Sequence, residues 1–380
     1  MDFIYDFPDR IKIDRVEFYK LTPIPLPRPF KDGTGSIRKA SLFGDWVRLY
    51  DEDGNFGEGP CTDLILNFFA PILLEEPGMT LNELRELLFW RIRNFGYQSF
   101  HVRELGSLDY VLLDLLSKKH KQPMYKFLGA SRDYAEVYKG GGSVLLNTEE
   151  LVEDILRFKN EGYHQTKIKI AGYADWHKDL ERVSAIREAV GEDFGIAVDA
   201  NQGWDVDTAF AFAEAAVPYH LSWIEEPVGA FDMNGLKELT DRLDKAGIPT
   251  DIAMGESVRN YNEYVMYAEH GVRHLQPVNA GMPFIDDILR VKKYADAHGL
   301  MLSSGGITFS NVVLGALYGE GQLIEYHQPI MEVIQPYLSL CSRIEDGKFY
   351  LPDVPGLPMQ LDFEKLKKDG LIDTIIYRYR

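Results

Sequence analysis

The sequence predicts an α/β protein: a modified (β/α)7β TIM-type barrel joined to an α+β capping domain built from the N-terminal segment and the C-terminal tail. Two observations carry this. Between residues 131 and 344, eight short apolar runs alternate with amphipathic helical stretches at intervals of 20 to 30 residues or so. Strands that alternate with helices imply a parallel sheet, and a count of eight favours closure into a barrel. Residues 1–130 read instead as strands followed by helices, and residues 345–380 return to strand and turn texture. That tail is expected to fold back on the first domain.

Each element follows from its local pattern. Ile11 to about Gly59 reads as strands and turns, and Val47–Tyr50 runs into Asp51-Glu52-Asp53-Gly54, a hairpin signal. From Thr80 the period becomes helical: Leu81, Leu84, Leu87 and Leu88 share a face, as do Leu108, Val111, Leu112 and Leu115. Gly129 is expected to end the second of these helices. The eight barrel runs are Glu136–Tyr138, Thr166–Ile170, Gly195–Asp199, Leu221–Glu225, Asp251–Met254, His274–Gln276, Leu300–Ser303 and Leu323–Tyr326. Helices such as Leu180–Val190, Asp207–Ala216, Asn234–Ala246, Asn260–Glu269 and Phe284–Ala297 lie between them.

Composition narrows the function classes. With 380 residues, 45% hydrophobic and 26% charged, the chain has material for a large core. A formal net charge of −18 argues against a nucleic-acid surface, which needs clustered Lys and Arg. It leaves room for an anionic small-molecule substrate, because a divalent cation inverts the charge locally. Two cysteines, Cys61 and Cys341, make neither a disulfide framework nor a zinc motif. The start lacks an apolar signal region and no run is long enough to span a bilayer. A cytoplasmic protein with no membrane partner is expected.

In a barrel of this type the functional groups sit at the carboxyl ends of the strands. Read in order, those ends give Lys167-Ile168-Lys169, Asp199-Ala200-Asn201, Glu225-Glu226-Pro227 and Gly255-Glu256-Ser257. Asp199, Glu225 and Glu256 come from successive strands and converge at the barrel mouth. Such crowding is costly unless a cation sits among the acids, and an oxygen-only donor set suits Mg2+. The alternative is that each acid caps the helix that follows it. Lys167 and Lys169, two apart on a strand, point the same way, and each is expected to depress the other's basicity and so free an amine. A cation and a base together suit removal of the proton beside a carboxylate, which leaves an enediolate.

These residues resemble the enolase superfamily, specifically its mandelate racemase-like subgroup. Lys167-Ile168-Lys169 is similar to the K-x-K motif, and Asp199-Ala200-Asn201, Trp223–Pro227 and Gly255-Glu256 to the three metal-ligand motifs in order. Val198–Asp205 is similar to the subgroup's sugar-acid dehydratases, and the helix Leu108–Gly129 and Pro355-Gly356-Leu357 also fit, so the resemblance covers nearly the whole chain. It implies that Asp199, Glu225 and Glu256 hold Mg2+, that Lys169 is the base, and that Lys167 tunes it and touches the substrate carboxylate. It also implies that Glu325, in Ile324-Glu325-Tyr326, hydrogen-bonds the enediolate.

The departures bear on the reaction. Racemases of this type oppose the lysine with an Asp–His dyad on strands six and seven. Here strand six reads Leu275-Gln276-Pro277-Val278-Asn279 and strand seven Leu302-Ser303-Ser304-Gly305-Gly306. A muconate-cycloisomerase pattern wants a lysine on strand six, where Gln276 stands. One face therefore has a base and the other none, which disfavours racemisation and permits elimination. His327, two residues past Glu325, is a candidate acid. Asn201, Gln276, Asn279, Ser303 and Ser304 are expected to contact substrate hydroxyls, and Arg28, with Lys31 and Arg38, to lie on a loop that reads the far end of the substrate. The leading expectation is dehydration of an aldonate or aldarate to a 2-keto-3-deoxy acid. The alternatives are a cycloisomerase or epimerase on a related carboxylate, and a non-catalytic carboxylate-binding relative. A homo-oligomer is expected.

Overall fold

The computed structural model describes residues 3–33, 35–40, 44–173, 175–278, 281–306, 308–341 and 343–380, with the backbone alone at 37–40. Barrel strands one to eight are Tyr134–Gly141, Gln165–Lys169, Gly195–Asp199, Trp223–Glu225, Asp251–Met254, His274–Leu275, Met301–Ser304 and Leu323–His327. Each pairs in parallel with the next, and strand eight closes on strand one from Leu323↔Glu136 to His327↔Gly140. Among the described residues seven α-helices connect the eight strands, from Thr148–Asn160 to Thr308–Leu317. This is the (β/α)7β barrel that the alternating pattern predicts.

The local reasons are ordinary ones. Ile168, Ile196, Val198, Ile224 and Ile252 are buried because helices cover the outside of the sheet. In the helix Met233–Ala246, Leu236, Leu239 and Leu243 lie in the core while Lys237, Glu238 and Asp241 face water. Asn147, Asp205, Asp232 and Asn260 cap the helices that follow them, each accepting a backbone N–H. Strand six stops at Leu275, just before Pro277, which has no N–H to offer a ladder.

The capping domain is a four-stranded antiparallel sheet in the order Ile372–Tyr379, Ile13–Leu21, Asp45–Asp51, Phe56–Cys61. The last two strands form the expected hairpin, whose turn is held by Asp51 accepting from the Asn55 N–H at 2.8 Å. The sheet lies directly on the helix Phe100–Lys119: a Cβ on Gly57 would stand 2.0 Å from the Val111 carbonyl oxygen. That helix does not continue to Gly129. It stops at Lys119, the chain turns through Lys121 at φ 53°, and Pro123 starts a separate turn, Met124–Phe127. The Met124 N–H donates to Gly356 at 2.8 Å, outside the helix, so the apolar period continued across a break.

We propose the domain division at residues 130 and 344 that the pairing supports. The last strand, Ile372–Tyr379, pairs with Ile13–Leu21 of the cap. Before reaching it, the tail places Lys348–Tyr350 antiparallel to Tyr134–Glu136 of barrel strand one. Among the described residues no helix is long and apolar enough to cross a membrane.

Cap and barrel meet at a buried ion cluster. Arg85 donates to both oxygens of Asp109 at 2.6 and 3.0 Å and contacts Asp286 of the barrel helix Ile285–His298 at 2.9 Å. Asp286 also accepts from the Ile4 and Tyr5 N–H groups. Removing one member of a buried ion pair leaves an uncompensated charge and costs about 3–5 kcal/mol. Arg85→Ala is expected to lose stability of that order in urea unfolding. Lys237→Ala, which breaks an exposed pair with Asp241, is expected to change it by less than about 0.5 kcal/mol.

Candidate active site

The carboxyl ends of the strands converge as their spacing predicts. Carboxylate oxygens of Asp199, Glu225 and Glu256 lie within 4.8 Å of one another. None of them caps a helix: Asp205, Asp232 and Asn260 cap the helices that follow these three strands. Asp199 and Glu225 are buried, and Glu256 opens to solvent at the mouth. Three oxygen donors from three strands fit a hard divalent cation, with positions left for water or substrate.

Both lysines of strand two point into this cluster. Lys169 Nζ lies 2.5 Å from Asp199 Oδ2. Lys167 Nζ contacts both Glu225 oxygens at 2.8 and 2.9 Å and stands 3.5 Å from Asp199 and from Glu325. The expected mutual depression of the lysines is not what dominates. Burial and the neighbouring ammonium push Lys169 down, yet the carboxylates, Asp199 first, hold it above its ordinary value. Lys167 is likewise pulled down by burial and held well above its ordinary value by Glu225 and Glu325. Burial would raise the Asp199 carboxyl, but Lys169 and Lys167 keep it below the usual range. Glu225 is pushed up to about 8 by burial and by the charge of Asp199.

Glu325 reaches the same point from strand eight. Burial opposes its charge, Lys167 outweighs that, and the carboxyl stays low. Its Oε2 accepts from the Gly306 N–H at 2.7 Å. Its Oε1 occupies space that only a glycine leaves: a Cβ on Gly140 would stand 1.7 Å from it. His327 sits on the same strand, with Nδ1 buried and without a partner among the described residues and its ring 5.6 Å from Phe30. Burial lowers its pKa, opposed by Glu325 and Asp32 and reinforced by Lys169 and Lys167. Asn201 Nδ2 lies 3.4 Å from Asp199, and its Oδ1 accepts from the N–H of Gly33, two residues past the strand Ile24–Lys31, at 3.4 Å.

Four expected substrate contacts are placed otherwise. Gln276 Nε2 donates to Glu225 at 2.9 Å and to Ser303 at 3.1 Å, so the amide supports an acid of the cluster. Ser303 is buried against His274 Nε2 at 2.8 Å. Ser304 alternates to the outer face, where its hydroxyl meets the Pro277 carbonyl at 2.5 Å and Tyr318 at 2.6 Å. Arg28 lies on the strand Ile24–Lys31 and pairs with Asp154 at 2.5 Å. Asn279 and the Arg38 side chain lie outside what is described.

Sequence reading missed Tyr138, Gly140, Gln202 and Glu226. The run Gly140-Gly141-Gly142 at the end of strand one was the available signal, since glycines in a strand mark close approach. Gln202 Nε2 donates to Glu226 at 3.0 Å and to Ser257 at 2.8 Å, tying strand ends three, four and five together.

Comparison with known proteins agrees with this geometry. Residues 150–366 match the family model described as enolase C-terminal domain-like. An L-talarate/galactarate dehydratase of Salmonella typhimurium is 28% identical over 77% of this chain and 71% of its own. A 3,6-anhydro-alpha-L-galactonate cycloisomerase of Streptomyces coelicolor is 27% identical over 93% of this chain and 97% of its own. The solved structure of a racemase from Streptomyces coelicolor A3(2) with bound magnesium superposes at a TM-score of 0.82, with 26% identity, over 94% of this chain and 99% of that one.

The raised Glu225 carboxyl has a measurable signature. Its ordinary value is 4.5, so between there and about 8 the folded chain keeps a proton that the unfolded chain has released. Its contribution to stability therefore falls as pH rises through that window. In EDTA the Tm is expected to fall from pH 5 to 8, and Glu225→Gln to fall less steeply. Equal slopes in the two proteins would count against a protonated Glu225.

Proposed function

We propose that this chain, which belongs to the enolase C-terminal domain-like family, removes the proton beside a carboxylate with Mg2+ as cofactor. The leading reaction is dehydration of a sugar acid, an aldonate or aldarate, to its 2-keto-3-deoxy product. One observation carries this reading: three carboxylates within 4.8 Å of one another, with Lys169 Nζ 2.5 Å from Asp199.

Asp199, Glu225 and Glu256 would hold the ion. When bound, Mg2+ supplies positive charge toward the substrate carboxylate and the oxygens that become anionic. Positive charge shared among the three acids weakens their hold on Lys169, and the Lys167 ammonium then favours the free amine. Lys169 takes the α-proton and Lys167 donates to the enediolate. Glu325 can donate to that anion only as the protonated acid, and ionised it instead stands 3.5 Å from Lys167 and orients it. The β-hydroxyl then leaves with a proton, and the enol becomes the keto acid. Burial keeps His327 neutral near pH 7, so it can hydrogen-bond the leaving hydroxyl but stores no proton for it. Lys169, protonated by the first step, does. Removal and return of the proton on one face need no dyad on strands six and seven.

Cycloisomerisation is the second reading, supported by the cycloisomerase that aligns over nearly its whole length. It shares the first step and differs in what leaves. The homo-oligomer is carried forward on a specific feature: Ile372–Tyr379 is an edge strand with Ile375, Tyr377 and Tyr379 exposed. Cys61 and Cys341 form no disulfide, which supports a reducing compartment such as the cytoplasm.

With Mg2+ and a panel of galactarate, L-talarate, arabinonate, L-rhamnonate and 3,6-anhydro-L-galactonate, at least one of the first four is expected to yield an α-keto acid lighter by one water. A keto acid of unchanged mass, formed from the anhydro acid alone, would favour the second reading, because there the ring ether is what leaves. Lys169→Ala is expected to lower kcat by at least about 10²–10⁴-fold, and His327→Asn by less. Equal activity of Lys169→Ala and the parent would remove Lys169 as the base. Light scattering is expected to give a mass above one chain, and Tyr377→Asp to reduce it.

A further inference from the structure

Arg182 and Arg187, both buried on the barrel helix His177–Val190, hold backbone carbonyls at opposite ends of the barrel. Arg187 donates to Tyr219, Gly191 and Phe194 at 3.0, 2.6 and 2.7 Å, all of them ahead of strands three and four. That end of such a barrel serves stability. Arg182 reaches the other end. Its Nη1 donates to the carbonyl of Lys169 at 2.9 Å, and its Nη2 donates to that of Ser143 at 3.0 Å and lies 3.5 Å from that of Gly142. Lys169 is the last residue of strand two, and Ser143 lies two residues past strand one.

Ser143 is also where the strand Ile24–Lys31 of the cap is seated on the barrel. Its Oγ accepts from the Lys31 N–H at 2.9 Å, and the Val144 N–H donates to the Lys31 carbonyl at 3.1 Å. Around that seat the chain lies over the mouth, with Phe30 against His327 and the Gly33 N–H on Asn201. Base and seat are joined a second time, since the Lys169 N–H donates to the Gly142 carbonyl at 3.0 Å. Past the base, Ala171 has a left-handed φ of 58° and its N–H donates to Asp179 Oδ2 at 2.9 Å. Asp179 Oδ1 pairs with Arg182 at 3.2 Å. A buried ion pair is a weak source of stability, and what this one grips is the ends of two strands.

We infer that Arg182 is a positioning residue that fixes the base Lys169 and the hairpin seat Ser143 as one unit. The inference rests on the reading of Lys169 as the base and deepens it. One planar guanidinium spans both strand ends, so a displacement of either carries the other with it. A misplacement of about 1 Å can cost about a hundredfold in rate. The cap segment over the mouth and the amine beneath it are thus kept in register.

The test sets Arg182→Met against Arg187→Met, each compared with the parent well below its Tm. Amide hydrogen exchange needs no substrate and reads local opening. In Arg182→Met the amides of Lys31, Val144, Lys169 and Ala171 are expected to exchange at least about tenfold faster relative to those of strand five, because bonds to a charged group are lost. In Arg187→Met that ratio is expected to match the parent. With any acid of the panel that turns over, Arg182→Met is expected to lower kcat about 10–100-fold, and Arg187→Met to keep it. Arg182→Lys retains the charge but not the planar fork, and is expected to lie between parent and Arg182→Met. It carries the test if the methionine variant does not fold. The inference is overturned if the Arg182 and Arg187 variants behave alike, or if exchange quickens on only one side of Arg182. Where all these amides loosen but the parent makes no keto acid from the panel, the dehydration reading falls and the coupling stands.

Discussion

The structure depends on a like-charge problem solved by neighbours. Asp199, Glu225 and Glu256 cannot all be ionised at such close quarters in a buried site without compensation. Lys167 is the group that holds the arrangement together, since it touches Glu225 and stands within 3.5 Å of both Asp199 and Glu325. Lys169 competes with any cation for the same Asp199 oxygen. The apparent excess of negative charge at the mouth is therefore a balanced set whose balance shifts when a cation enters. A protein of net charge −18 can in this way present an electropositive point to an anionic substrate.

Holding acids in place has a backbone cost. Asn201, Gln202 and Glu226 all have left-handed φ, at 45°, 64° and 40°. Such residues cost of order 1–3 kcal/mol each when they are not glycine. They persist because Gln202 and Glu226 bind each other twice, through the Gln202 N–H at 2.7 Å and through the side chains at 3.0 Å. Strain here is local to the turns that aim Asp199 and Glu225.

Much of this was legible in the sequence. Strand ends carry function in such barrels, so the order Lys-x-Lys, Asp, Glu, Glu at barrel spacing located the cluster, and period-two alternation aimed both lysines correctly. The same alternation, applied to Ser303 and Ser304, should have separated them: one faces in and one faces out. Polarity alone did not tell a substrate contact from a support, and Gln276 turned out to support Glu225. Arg28 reads in the sequence as a substrate contact on a loop because its partner, Asp154, is 126 residues away. Helix periodicity could not show the break after Lys119, where apolar residues on both sides face one core. The part played by Gly140 was invisible because it depends on absent atoms.

The capping sheet joins the two ends of the sequence: Arg15 pairs with Tyr379 across more than three hundred and sixty intervening residues. During synthesis the strand Ile13–Leu21 has only its hairpin neighbour on one side until the last strand emerges. Its other edge waits while the whole barrel is made, and long-range pairings of this kind form slowly. The barrel can therefore mature first, and the cap sheet takes its fourth strand only after Ile372–Tyr379 has been made.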